Sequence, residues 1–291
     1  MTETLLFTIS SFEEGSSLLA FVKIQCALTN RLARRLVEKG FCKINGVIEL
    51  FTSRKLQEKD CVEISPLWKG LLQETQGALQ ILYEDDFLIL IEKPSGLVCE
   101  DKNLPASFPA QSTFVHRLDL GTSGIMMVAK SKEIKEKMVA QFLSKNVKKF
   151  YFAILDGIVA ENNGRIESYL SRRSQKMTLF GSMQTGKHAL TLFRVVKRIK
   201  KATLVLCQPV TGRTHQLRVH FFERGHPILG DYVYAKKFSY PSHVERLLLH
   251  SARLEFFHPF LKKKMVFDSP LPELFSQVMG GVGEKQCFSL S

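Results

Sequence analysis

The chain has 291 residues, 45% of them hydrophobic and 24% charged, which suits one large domain or a small domain followed by a larger one. Lys and Arg total 41 against 28 Asp and Glu, and the formal charge of +13 favours a polyanionic partner, nucleic acid before membrane, because neutralised phosphates release counterions. No apolar run reaches membrane-spanning length, Glu3 stands where a secretory leader carries positive charge, and six scattered cysteines form no C-x-x-C pair, so a disulfide scaffold is excluded and a cytoplasmic chain with free thiols is expected.

The first strongly periodic stretch is Leu28 to Gly40. Leu32, Leu36 and Val37 recur at helical spacing, while Arg31, Arg34, Arg35 and Lys39 gather on the other side, softened by Glu38. Thr29 or Asn30 can cap the start, and Gly40 suits the left-handed position past the end. Phe41 to Ile44 then alternates as a strand, Asn45-Gly46 is a hairpin turn, Val47-Ile48 begins the return, and the unit closes near Cys61 to Ile64. This helix, its basic face and the short sheet around Lys43-Ile44-Asn45-Gly46-Val47 resemble an S4 domain, which implies that Arg31, Arg34, Arg35 and Lys39 contact structured RNA. The resemblance departs at Gly15, where Ser16-Ser17-Leu18-Leu19 replaces the usual Arg-Leu-Asp element. The expected division is residues 1–65 for this unit, 66–78 for a linker holding Pro66 and Trp68, and 79–291 for a larger domain.

In the larger segment, Ile81 to Tyr83 and Phe87 to Ile91 read as strands around the acidic turn Glu84-Asp85-Asp86, which is expected to be solvated. After Glu92-Lys93-Pro94-Ser95-Gly96 comes His116-Arg117-Leu118-Asp119-Leu120-Gly121-Thr122-Ser123-Gly124, followed by the apolar strand Ile125 to Ala129. On residue chemistry alone this is an ordinary turn in which Asp119 bonds its own backbone, or a loop presenting an ionised carboxylate. Ser131 caps a helix with Ile134, Met138 and Phe142 on one face. Lys149 to Asp156 is a strand with Tyr151, Ala153 and Leu155 on one face. Runs at 189–196 and 202–208 lead into Thr211-Gly212-Arg213-Thr214-His215-Gln216-Leu217-Arg218, where strand, glycine turn and helix start are legible, with Gly225 as the helix end. His215 and His220, five apart, share no face and make no metal pair.

The segment from His116 to Ser131 resembles the signature of RluA-type pseudouridine synthases, and the Lys149-x-Tyr151-x-Ala153, Thr211 to His220 and Gly225 to Asp231 runs resemble further motifs of that family in the same order. The resemblance implies an α+β fold with a mixed, mostly antiparallel sheet flanked by helices and loops, and an activity that isomerises uridine to pseudouridine in structured RNA. Ribosomal RNA of the large subunit is the favoured substrate and transfer RNA the other. It implies that Asp119 is the catalytic carboxylate, that Tyr151 stacks on the base, and that Arg218, or alternatively Arg213, pairs with Asp119 and holds it ionised. It further implies that Arg117 fills the space of the extruded base, and that His116 and Arg213 face RNA. The interval from Cys99 to Phe114 is shorter than the family's usual insertion.

Because the detached base stays in the pocket, the reaction requires no cofactor or metal in principle, and a monomer is expected. The other reading is a non-catalytic RNA-binding or ribosome-assembly factor on the same fold. A glycosidase or nuclease needs a second acid near Asp119, which the local sequence does not offer.

Overall fold

The computed structural model describes residues 4–38, 40–65, 79–173, 179–242 and 244–281. Its strands fall into two sheets. The first has four antiparallel strands in the order β1-β4-β2-β3, from β1 (Leu5–Thr8), β2 (Cys42–Ile44), β3 (Val47–Ile48) and β4 (Cys61–Ile64). Against it pack α1 (Leu18–Gln25) and α2 (Asn30–Glu38), with Leu18, Phe21, Val22, Ala33, Leu36 and Val37 fully inside. The Ser17 hydroxyl caps α1, accepting from the Ala20 N–H at 3.2 Å, and Thr29 caps α2 through the Leu32 N–H at 3.3 Å. The second helix thus starts at the cap its periodicity predicts, Thr29 being the one of the two candidates that serves. Asn45 and Gly46 both hold positive φ, 52° and 76°, as a two-residue hairpin demands. Arg31 and Arg34 are exposed and Arg35 is half-buried, while Lys39 and the predicted linker at 66–78 lie outside the described residues.

The second sheet has eleven strands. Its path is β11-β10-β12-β13-β9-β14-β8-β6-β5, with β15 added on β14 and β7 on β8. In chain order these are β5 (Gln80–Glu84), β6 (Leu88–Lys93), β7 (Thr113–Phe114), β8 (Ser123–Ala129), β9 (Lys148–Asp156), β10 (Asn163–Arg172), β11 (Phe180–Ser182), β12 (Lys187–Ile199), β13 (Ala202–Pro209), β14 (Leu249–His258) and β15 (Lys263–Asp268). The helices are α3 (Lys132–Leu143), α4 (Gln216–Glu223) and α5 (Glu273–Met279). Among the described residues every pairing is antiparallel except β14 with β8. The α+β class with a mixed, mostly antiparallel sheet is thus the observed one. Strands β6, β8 and β9 are apolar along nearly their whole length because both faces are covered.

Gly124 makes the one parallel junction possible. Its φ is 111°, and a Cβ there would sit 2.2 Å from the Ser251 carbonyl oxygen of β14. Two expectations need correction. The acidic turn is not merely solvated: Asp85 accepts from the Phe87 and Leu88 N–H groups at 2.8 and 2.7 Å and from the Tyr83 hydroxyl at 2.7 Å, so it builds the turn. Strands β10 and β11 were not anticipated; β10 alternates exposed and half-buried residues at the sheet's margin.

Candidate active site

A cleft of about 370 Å³ opens where the 115–122 loop, β9 and the turn before α4 meet. Asp119, Arg117, His116, Tyr151, Lys149, Arg213, His215 and Arg218 all line it. The loop carrying Asp119 is gripped from beneath. Fully buried Lys93, at the end of β6, donates from Nζ to the carbonyls of Pro94, Leu97 and Leu120 at 2.8, 3.1 and 3.3 Å. The Gly96 N–H adds a 2.7 Å bond to the same Leu120 carbonyl, and the Ser95 hydroxyl bonds the Gly121 carbonyl at 3.0 Å. The Lys-Pro-Ser-Gly segment therefore fixes both residues following Asp119. Loops held this way present a side chain with the precision of a regular element.

The turn before α4 is organised by one side chain. Gln216 accepts from the Thr211 hydroxyl and the Arg213 N–H through Oε1, and donates from Nε2 to the Leu190 carbonyl and the Thr191 hydroxyl. His215, in the left-handed region at φ 57°, starts the helix, and Arg218 follows one turn later. Arg218 is only 7% exposed, yet its three outer nitrogens are all engaged. Nε and Nη2 donate to the two oxygens of Asp231, each at 2.8 Å, and Nη1 reaches Asp119 Oδ2 at 3.3 Å. Burial works against the guanidinium charge, but Asp231 and then Asp119 more than offset it and hold its pKa above the usual arginine value. Arg213 points elsewhere: its Nε donates to the His188 carbonyl at 2.9 Å. Of the two arginines, Arg218 is the one beside Asp119.

Tyr151 is 8% exposed, and burial, with Asp119 and Cys99 nearby, pushes its hydroxyl up to about 12. It is a neutral phenol at any ordinary pH. His116 is drawn into the scaffold: its Nε2 accepts from the Met127 N–H at 3.1 Å, its ring packs on Phe142, and burial followed by the charge of Lys149 lowers its pKa to about 3. Arg117 beside it is exposed at the cleft. Lys149 is pulled below the usual lysine range by burial and by Arg213.

The sequence profile described as RNA pseudouridylate synthase matches residues 87–223. A protein of Aquifex aeolicus named "Uncharacterized RNA pseudouridine synthase" is 33% identical over 282 residues, covering 86% of this chain and 88% of its own. The "Ribosomal large subunit pseudouridine synthase D" of Zymomonas mobilis is 31% identical, covering 89% of this chain and 92% of its own. The chain belongs to the RNA pseudouridine synthase family. The solved structure of human RNA pseudouridylate synthase domain containing 1 aligns with a TM-score of 0.59 at 28% identity, over 68% of this chain and 86% of that one.

Three further residues of this pseudouridine synthase build the site in ways that the sequence did not signal. Asp231, 3% exposed, was quoted only as the end of a motif, although an acid following Gly230 beside an arginine motif could have signalled a partner. Lys93 lies in a segment that resembles a family loop on the active-site side, but nothing in the sequence signals its burial. The third, Tyr234, stacks against Arg218 with 5.1 Å from ring centre to Cζ, and its hydroxyl lies 2.9 Å from His215 Nδ1. That hydroxyl also accepts from the Phe180 N–H at 3.1 Å, and the other ring nitrogen of His215, Nε2, lies 3.9 Å from Asp119 Oδ1. Burial, then Arg218, lowers His215 to about 4, so the ring is neutral.

Proposed function

We propose that this pseudouridine synthase isomerises specific uridines in structured RNA, that its substrate is large-subunit ribosomal RNA, and that Asp119 is the catalytic carboxylate. The observation that carries the reading is the 3.3 Å approach of Arg218 to Asp119 in a cleft also lined by Tyr151. The target class rests on relatives named for the large ribosomal subunit, among them the synthase C of Vibrio cholerae, 35% identical over 84% of this chain.

The reaction breaks the bond from uracil N1 to ribose C1′, turns the ring, and joins C5 to C1′; C5 loses its proton and N1 gains one, so the change is an isomerisation. Extruding the nucleotide removes its stacking partners, and exposed Arg117 fills the vacated space. Tyr151 offers a neutral aromatic face to the freed ring. Asp119, steered by Arg218, acts on the reacting centre. Residues 1–65 act as an S4-like module whose Arg31, Arg34, Arg35 and Lys39 hold the RNA, joined through 66–78 to the catalytic domain of 79–291, in a monomer that needs no cofactor.

Replacing Asp119 with Asn keeps the shape and removes the charge. With ribosomal RNA from cells lacking the gene as substrate, nucleotide-resolution mapping is expected to find new pseudouridine with the native chain and none with Asp119→Asn. Pseudouridine formed by the variant at the native rate refutes the assignment, and none formed by either protein on any RNA favours the RNA-binding factor.

A further inference from the structure

Arg218 lies between two carboxylates that are not equivalent. Asp231 takes the planar side of the guanidinium with two bonds of 2.8 Å, whereas Asp119 takes a single longer bond of 3.3 Å from Nη1. Asp231 is also the better anchored. Its carbonyl accepts from the Ala235 N–H at 3.0 Å, and its own N–H donates to the Ile228 carbonyl at 3.1 Å. The turn before it is pinned to the sheet by Leu229 to the Ile154 carbonyl and Leu248 to the Leu229 carbonyl, at 2.8 and 2.9 Å. Gly230, at φ 78°, lets that turn touch the backbone of Arg246, whose carbonyl a Cβ would approach to 2.0 Å. A bidentate pair fixes a guanidinium in plane and direction as a single bond cannot.

We infer that Asp231 is a positioning residue for the isomerisation: it aims Nη1 of Arg218 at Asp119 and takes up most of the cation's charge, so that Asp119 is oriented without being locked into a full ion pair. This rests on the reading of Asp119 as the catalytic carboxylate. With Asp231 neutral, Asp119 becomes the only carboxylate near Arg218 among the described residues, and the arginine turns its fork onto it. A carboxylate held by two charge-assisted bonds is a poorer nucleophile and a poorer base. The groups facing Asp119 are Arg117 on its own loop, Tyr151 on β9 with Cys99 behind it, His215 and Arg218 at α4, and Asp231 with Tyr234 beyond. The last acid is the one that balances the arginine.

The test is Asp231→Asn, assayed on ribosomal RNA from cells lacking the gene. A fall in kcat of about 100-fold with KM little changed is expected, as for a misaligned reacting group. The acid limb of the rate profile is expected to move about one unit to lower pH, because a negative charge has been removed from the guanidinium that contacts Asp119. A merely structural aspartate lowers the melting temperature without moving that limb. A folded variant with an unmoved limb, or one that moves to higher pH, overturns the inference. Arginine side-chain NMR gives a second measurement that needs neither turnover nor a folded Asp231→Asn: the Arg218 Nε–H resonance is expected to persist in Asp119→Asn, since Asp231 holds it. Its loss there overturns the inference, whereas full activity of Asp119→Asn overturns the catalytic reading and leaves the Arg218 resonance to be judged alone.

Discussion

Acidification from about pH 8 to about pH 5.5 is expected to destabilise the folded chain by roughly 4 kcal/mol, and the sign follows from where the protons go. Burial is the first cause at each of four histidines held neutral in the fold: His116 and His250 are lowered to about 3, His215 and His220 to about 4. The unfolded chain releases those rings to an ordinary value of ~6.5, so it binds the extra protons and gains stability as pH falls. Each histidine thus contributes stability that is whole above ~6.5 and is lost as pH drops toward the folded value, about 1.4 kcal/mol apiece at about pH 5.5 and about 6 kcal/mol for the four. Glu92 works in the opposite direction. Burial raises it to about 7, so the folded chain takes up its proton first and recovers about 2 kcal/mol over the same interval. The remainder is a large part of a typical folding free energy of ~5–15 kcal/mol. Urea unfolding at the two pH values and constant salt, followed by circular dichroism, reads it directly. A midpoint that is flat, or that rises on acidification, means that these rings are accessible to protons in the folded state and refutes the reasoning.

Replacement of Lys93 by Met leaves the Leu120 carbonyl its bond from Gly96 and strips the carbonyls of Pro94 and Leu97, while relieving the burial of an ammonium; these effects oppose one another, so stability should change by less than about 2 kcal/mol, yet kcat should fall about tenfold as the Asp119 loop loosens, and an unchanged kcat in a folded protein counts against the loop's dependence on Lys93. Changing Arg31, Arg34 and Arg35 together to Gln should raise KM for RNA and lower the salt dependence of binding by about 2 in log–log slope, with kcat at saturating RNA intact; filter binding across a salt series checks it, and an unaltered slope removes the helix from the RNA contact.

How far the chain could be read depended on how local the determinants were. Helix α2 and the hairpin after it were legible because their signals sit within a few residues: a 3.6-residue period, Thr29 at one end, Gly40 at the other, then Asn45-Gly46. Strand β10 escaped because its apolar residues are interleaved with Arg165 and Glu167, which bridge each other at the surface, so a margin strand looks like a polar loop. The carboxylate and its arginine lie 99 residues apart, and no spacing rule joins them; only the resemblance did.

The interior placement of Asp231 and Lys93 escaped for a related reason. In composition both are ordinary surface charges, and each becomes interior only because the sheet folds another segment over it. What brings those segments together is backbone geometry: β14 can run parallel against β8 only where Gly124 leaves no side chain, and the start of β14 in turn receives the Leu229 turn that carries Asp231. The glycines of the 121–124 loop therefore act at a distance from the cleft they serve. A Cβ at Gly124 pushes β14 away from β8, and with it the turn through which Asp231 holds Arg218. Site and scaffold are in this sense one constraint, because the arginine that meets Asp119 is aimed by an acid whose position depends on the strand that Gly124 admits.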